Sequence, residues 1–409
     1  MMNNKRGVQD IGGIQKADVY KGSELAAHLT RTKEGVKFEY TSEYLASSLP
    51  QIAHTLPKRE EPKLVAAGGI PSFFAGLLPE GRRLHALQRA IKTSVDDELS
   101  LLLAIGTDVV GDVKILPHGD AHSPTDPLVE VKKTFEEIKF ADLLNEFAEV
   151  DKVGIPGVQE KVSAKKIWLP ASRAGSQYIL KLESPDYPLI IENENYFLQT
   201  ARKSLKSVVQ TELVNDSEGK SGLLVTRFDR TIDGLGKPLS LAVEDACQVL
   251  DKWPADKYNM SAESIISELS RACSSQKLAA RELYRQFCFA WLTGNGDLHA
   301  KNVSILSTED GEWKISPAYD LPSTLLYGDK SLALTIGGKK VGHSRRSLIE
   351  FGVTVGLSEK LATKVLDEAL ETTSHVLIDL RDGLLPFDQQ TISDAVAELR
   401  HRRRTASKV

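Results

Sequence analysis

One stretch of this chain constrains its fold more than any other: Trp291-Leu292-Thr293-Gly294-Asn295-Gly296-Asp297-Leu298-His299-Ala300-Lys301-Asn302. Ala279, Leu283, Phe287 and Ala290 fall on one face of a helix leading into it. Gly294 and Gly296 break that helix into a loop. Asp297 and Asn302 then stand at the Asp-x-x-x-x-Asn spacing of a phosphoryl-transfer loop. Such chemistry needs a carboxylate to orient and deprotonate a hydroxyl, and a neutral oxygen ligand for magnesium. Val303 and Ile305 alternate as a short strand, Asp310-Gly311 signals a turn, and Trp313 and Ile315 alternate as the returning strand. A tight hairpin of this kind brings Asp320 back beside Asn302, two oxygen ligands suited to a hard cation.

Length and composition narrow the setting. A chain of 409 residues suggests two or three domains, and its net charge of −4 gives the whole molecule no polyanion-binding field. Cys247, Cys273 and Cys288 stand at no metal-like spacing, which argues against a disulfide framework or a zinc site. Neither a long apolar span nor an apolar leader after Met1 is present, so a cytoplasmic protein without membrane contact is expected.

The text divides into four. Residues 16–117 read as a β-rich subdomain with a helical region over 82–105 and a closing strand over 110–117. Residues 118–134 have a linker's composition, and His118 and His122 read there as solvated loop residues rather than ligands. Residues 135–230 read as a nucleotide-binding lobe that opens with a helix over 135–150. Gly154 and Gly157, with Val158, follow in a loop whose backbone N–H groups can approach a phosphate, although from this spacing alone a plain turn is the commoner reading. It is not a Walker loop; the only Gly-Lys-Ser, at 219–221, has Val214 where the first glycine is required. The alternation in 177–182 predicts a strand carrying Lys181, which faces either solvent or a buried partner. Glu194 supplies that partner, on the same helix face as Phe197, Leu198, Ala201 and Leu205. A strand over 221–230 precedes a hinge in which Thr226 to Phe228 can present backbone groups to an adenine edge. Residues 231–409 read as helical, with helices over 243–250 and 261–270, a strand and turn over 332–340, and a last helix over 392–404. The cations Arg400, Arg402, Arg403 and Arg404 either complement that helix's dipole or contact nucleic acid or an acidic partner.

Together, Gly157-Val158-Gln159-Glu160-Lys161, Tyr178-Ile179-Leu180-Lys181, Asn193-Glu194, Arg227-Phe228-Asp229-Arg230, the loop from Gly294 to Asn302, and Tyr319-Asp320 resemble the HipA-like serine/threonine kinases, toxins of bacterial type II toxin–antitoxin pairs. Phe73-Phe74-Ala75-Gly76-Leu77-Leu78-Pro79-Glu80-Gly81 resembles that family's N-terminal subdomain. The resemblance implies an α+β, two-lobed protein-kinase-like fold with an all-helical C-terminal lobe. It implies ATP with Mg2+, and transfer of the γ-phosphate to a serine or threonine of a protein such as an aminoacyl-tRNA synthetase. By position, Asp297 becomes the catalytic base, Asn302 and Asp320 the magnesium ligands, and Lys181, held by Glu194, the phosphate-binding lysine. Gly154, Gly157 and Val158 fall in the phosphate loop, Thr226 and Phe228 at the adenine hinge; Lys301 becomes a phosphate contact and His299 a structural residue. The implied partner is a small helix-turn-helix antitoxin, through which DNA is reached. One departure matters: many members carry a self-phosphorylated serine where this chain has Gly154, which puts that route of self-inactivation in doubt. Two other readings stay open. A small-molecule phosphotransferase of the aminoglycoside or choline type has a similar catalytic loop, and a non-catalytic co-repressor needs no metal ligands at all.

Overall fold

Short β-like segments between residues 16 and 66 are realised as four strands of an antiparallel sheet. The computed structural model describes residues 8–120, 129–130, 135–142, 167–173, 176–183 and 186–407. These fall into two compact units. In the first, β1 (Lys16–Lys21), β2 (Glu24–Arg31), β3 (Gly35–Tyr40), β4 (Lys63–Ala66) and β5 (Val113–Pro117) lie in the order β4-β3-β2-β1-β5. Ala17, Val19, Leu29, Phe38 and Ile115 enter one apolar core with Ile70, Phe74, Leu99 and Leu102. At about 25 cal/mol per Å² of apolar surface buried, such a core supplies the main favourable term in folding.

The helical region expected over 82–105 is two helices, Gly81–Ile91 and Glu98–Ile105. Lys92 takes a left-handed conformation (φ 53°) that ends the first, and the Asp97 side chain caps the second by accepting from the Ser100 N–H. The sequence from Asp229 to Pro254 belongs to this unit. The helix expected over 243–250 forms only at Ala246–Val249; Val243–Asp245 is a strand. A capping box fixes that start, because Asp245 accepts from the Gln248 N–H while the Gln248 side chain accepts from the Asp245 N–H. Short strands at Arg230–Ile232 and Pro238–Ser240 also qualify the all-helical expectation for 231–409.

The second unit holds the candidate site. Its sheet runs β6 (Val129–Glu130), β7 (Ile167–Arg173), β8 (Ser176–Leu182), β10 (Ser221–Thr226), β9 (Thr211–Asn215), antiparallel throughout except for β6 with β7. Of the helix expected over 135–150, Phe135–Glu137 is a 3-10 turn, residues 140–142 are helical, and residues 143–150 lie outside the described residues. The Ile190–Ser204 helix buries Phe197 among Leu325, Leu326, Val376, Leu380 and Leu399. From Ala262 onward helices dominate, at Ala262–Ala272, Gln276–Thr293, Arg345–Thr354, Glu359–Thr372, Val376–Arg381 and Gln389–Ala406. A hairpin of Ser304–Ser307 and Trp313–Ile315 interrupts them, with Ile305 opposite Ile315. The strand expected over 332–340 does not form; the left-handed Gly337 and Gly338 make a turn bridged from Ile336 to Lys339. Among the described residues no helix is long and apolar enough to cross a membrane, and the three cysteines are free thiols, all buried.

Candidate active site

The site grows from the end of the Gln276–Thr293 helix. Gly294 terminates it in the left-handed region (φ 72°), with its N–H donating to the Ala290 carbonyl. No larger residue fits: a Cβ there lies 2.3 Å from Leu325 Cδ1. Gly296 is tighter against backbone, since a Cβ meets the Ser331 carbonyl oxygen at 2.4 Å. The loop is tied at each step. Thr324 donates its N–H to the Gly294 carbonyl (2.8 Å), and its hydroxyl accepts from the Gly296 N–H (2.9 Å). The Asn295 side-chain oxygen accepts from the Asp297 N–H (2.8 Å).

Asp297 follows, its side chain fully buried. Its carbonyl accepts from the His299 N–H (2.8 Å) and from the Asn302 amide nitrogen (2.9 Å). That second bond settles which end of the Asn302 amide is committed, and the oxygen is the end left to act as a ligand. Two residues of the loop are thereby locked together, backbone to side chain, at the spacing the sequence shows.

Lys181 leaves β8 toward the interior. Its Nζ lies 2.6 Å from Glu194 Oε1 and 3.2 Å from Asp320 Oδ1, and none of the three side chains is more than 3% exposed. Of the two directions open to Lys181, the strand takes the buried one. Desolvating an ammonium is costly, and only close opposite charges offset it. The cluster joins β8, the Ile190–Ser204 helix and the segment after the hairpin.

Asp320 adopts φ 54°, unusual for a residue with a side chain and worth on the order of 1–3 kcal/mol of strain. Its neighbours hold it there. Ala318 donates to the Ser207 carbonyl and accepts from the Val209 N–H. The Tyr319 hydroxyl donates to the Lys301 carbonyl (2.8 Å) and lies 2.6 Å from Ser304 Oγ. Asn193 grips Ser323 twice, accepting from its N–H and donating to its carbonyl, each at 2.9 Å. The sequence offers Asn193 and Tyr319 only as parts of motifs. The one signal for the Asn193 role is a second polar residue beside Glu194 on the buried part of a helix.

The remaining expected residues are placed as follows. Thr226 ends β10, with its N–H engaged by the Gln210 carbonyl; the Arg227 N–H is engaged by the Gln177 carbonyl. The Phe228 ring lies 5.7 Å from that of Tyr319, next to Asp320 in sequence. Lys301 is half-buried in the short turn that ends at Asn302. His299 is buried edge-on to Tyr258. Burial, and then the charges of Lys257 and Lys301, push its pKa well below the ordinary histidine value, so the imidazole is neutral. Gly154, Gly157 and Val158 lie outside the described residues. The structure thus brings Lys181, Glu194 and Asp320 into contact, and locks Asp297 to Asn302. Carboxylate and amide oxygens such as those of Asp320 and Asn302 are the donor types that a hard divalent cation takes.

Comparison with known proteins agrees with this architecture. The model of the HipA-like C-terminal domain matches residues 153–377, and that of the HipA N-terminal domain matches residues 17–116. The chain is 32% identical over 332 residues to the putative kinase Y4dM of Sinorhizobium fredii, covering 75% of each protein. It is 26% identical over 389 residues to the serine/threonine-protein kinase toxin HipA of Shewanella oneidensis, covering 88% of each. The fold matches a chain in the solved complex of the Shewanella oneidensis toxin–antitoxin system HipA, HipB and its operator DNA with a TM-score of 0.75 at 21% identity, covering 95% of this chain and 96% of that one. With both domains matched in order along its length, this chain belongs to the family of HipA-like kinases.

Proposed function

We propose that this protein is an ATP- and Mg2+-dependent serine/threonine protein kinase and the toxin of a toxin–antitoxin pair, acting in the cytoplasm on a translation component such as an aminoacyl-tRNA synthetase. The observation that carries the reading is the buried cluster of Lys181, Glu194 and Asp320, beside a loop that fixes Asp297 and Asn302. Glu194 orients the Lys181 ammonium toward nucleotide phosphates, and Lys301 adds a second positive charge. Asp297 accepts the proton of the attacking hydroxyl as the phosphoryl group moves to it. Asn302 and Asp320 hold Mg2+, which when bound neutralises phosphate charge. Backbone groups from Thr226 to Phe228 meet the adenine edge. Because the Thr226 and Arg227 N–H groups are already engaged, the hinge N–H that donates is that of Phe228. Gly154, Gly157 and Val158 supply backbone donors to the phosphates. A helix-turn-helix antitoxin is the partner, and operator DNA is reached through it, as the HipA relative's solved complex with HipB and DNA suggests by analogy.

The test is transfer from labelled ATP with Mg2+ to two panels, aminoacyl-tRNA synthetases and aminoglycosides. Label on a serine or threonine of a protein is the expected result. Label on the drugs alone overturns the protein-kinase reading in favour of a small-molecule phosphotransferase.

A further inference from the structure

A second cluster of chemistry-bearing side chains lies in the first unit, built by a different sheet. Asp18 on β1 stands directly opposite His28 on β2, so the two side chains share a face. On its other side β1 pairs with β5, with Ala17 opposite Pro117 and the His118 N–H donating to the Lys16 carbonyl. Continuing that register puts His118 opposite Lys16, two residues from Asp18 and on the same face. His118, expected from the linker composition to be a solvated loop residue, is therefore anchored. Its Nδ1 lies 2.8 Å from Asp18 Oδ1, and His28 Nδ1 lies 2.8 Å from the same oxygen. The Gly119 N–H donates to the other carboxylate oxygen at 3.0 Å.

We propose that Asp18, His28 and His118 form a binding site for a borderline divalent transition-metal ion, with Zn2+ as its simplest occupant. Two imidazoles and one carboxylate are the ligand types such ions prefer, and three protein ligands leave a position open to water. The ligand atoms all lie within 4.8 Å of one another. In a tetrahedral site with bonds of about 2.0–2.1 Å, neighbouring ligand atoms stand about 3.4 Å apart, so each 2.8 Å contact has to open by only about half an ångström. With the ion on Nδ1, each ring carries its proton on Nε2, so binding asks only for that tautomer. The carboxylate comes with an outer partner, the Gly119 N–H, which holds it in place as outer-shell groups do in metal sites. Asp18 is nearly buried while His118 is half-exposed, so the ion has a way in. This site shares no residue with the proposed kinase centre and stands or falls apart from it.

The experiment is a Zn2+ titration of the chelator-treated full chain in excess Mg2+, which occupies the oxygen-donor site. Calorimetry and the midpoint of thermal unfolding are read for wild type, His28→Ala and His118→Ala. The inference predicts one saturable ion per chain and a raised midpoint in wild type. It also predicts metal-free melting of His118→Ala close to that of wild type, because that ring is at the surface. Losing an outer hydrogen bond to a ligand weakens a metal site by about 10–100-fold. Removing a ligand itself should cost at least as much, in both variants. Co2+ as a second probe should show visible absorption bands in wild type that both variants lack. Absence of saturable binding by wild type, or binding retained in either variant, overturns the site and leaves a hydrogen-bonded cluster.

Discussion

At the scale of single residues, the account rests on what burial does to charge. Lys181 stands between two buried carboxylates, Glu194 and Asp320, and is the cation that offsets the burial of both in this cluster. Replacing Lys181 by Met leaves two carboxylates buried side by side, and is expected to cost about 3–5 kcal/mol of stability. The double variant Lys181→Met with Glu194→Met should recover much of that loss in a denaturant titration, yet remain without phosphotransfer. Recovery of activity along with stability would show that Lys181 is only structural. Asn193 acts through geometry instead: Asn193→Ala deletes both bonds to Ser323 and releases the segment that holds Asp320 at φ 54°. Its expected signature is a weaker apparent affinity for Mg2+, measured as the metal concentration for half-maximal rate.

At the scale of elements, the catalytic loop is held by contacts from far along the chain. Arg402 on the last helix is 1% exposed, lies over the Trp291 ring at 4.0 Å, and donates to the carbonyls of Trp291 and Lys330. Arg403 donates to Thr373 and to the Leu370 carbonyl. Neither of the two readings of that basic run anticipates this, because a short sequence window cannot show which cations turn inward. Arg402→Ala should cost about 2–4 kcal/mol, since it removes a buried guanidinium and strips the half-buried Glu398 carboxylate and two carbonyls of their donor, whereas Arg404→Ala at the surface should be within about 0.5 kcal/mol. Chemical denaturation of both variants checks the contrast. What was legible beforehand was local. The periodicity of 276–293, the glycines after it and the hairpin turn all announce themselves within a few residues, and the structure realises each. What was not legible depended on distance or on one cap. His118 finds Asp18 a hundred positions away, and the capping box at Asp245 turns the start of an expected helix into a strand.

At the scale of the whole molecule, stability should fall in mild acid. His343 is buried against Trp291, and burial, with Arg402 and Lys339, brings its pKa down to about 4. The unfolded chain binds that proton near pH 6.5 and the folded chain does not, so its contribution is complete above pH 6.5 and is lost as pH falls toward 4. By pH 5 the expected loss is about 2 kcal/mol from this residue alone, with neutral, buried His299 adding in the same direction. His343→Gln should flatten the pH dependence of the unfolding midpoint between pH 7 and 5; an unchanged slope would remove His343 from the explanation. The central claim concerns what the assembled site does. Its most direct measurement is the rate of γ-phosphate transfer from ATP by wild type and Asp297→Asn at equal folded concentration. The account predicts a fall of about 10²–10⁴-fold with an unchanged thermal midpoint; transfer at the wild-type rate by a folded Asp297→Asn protein would contradict it.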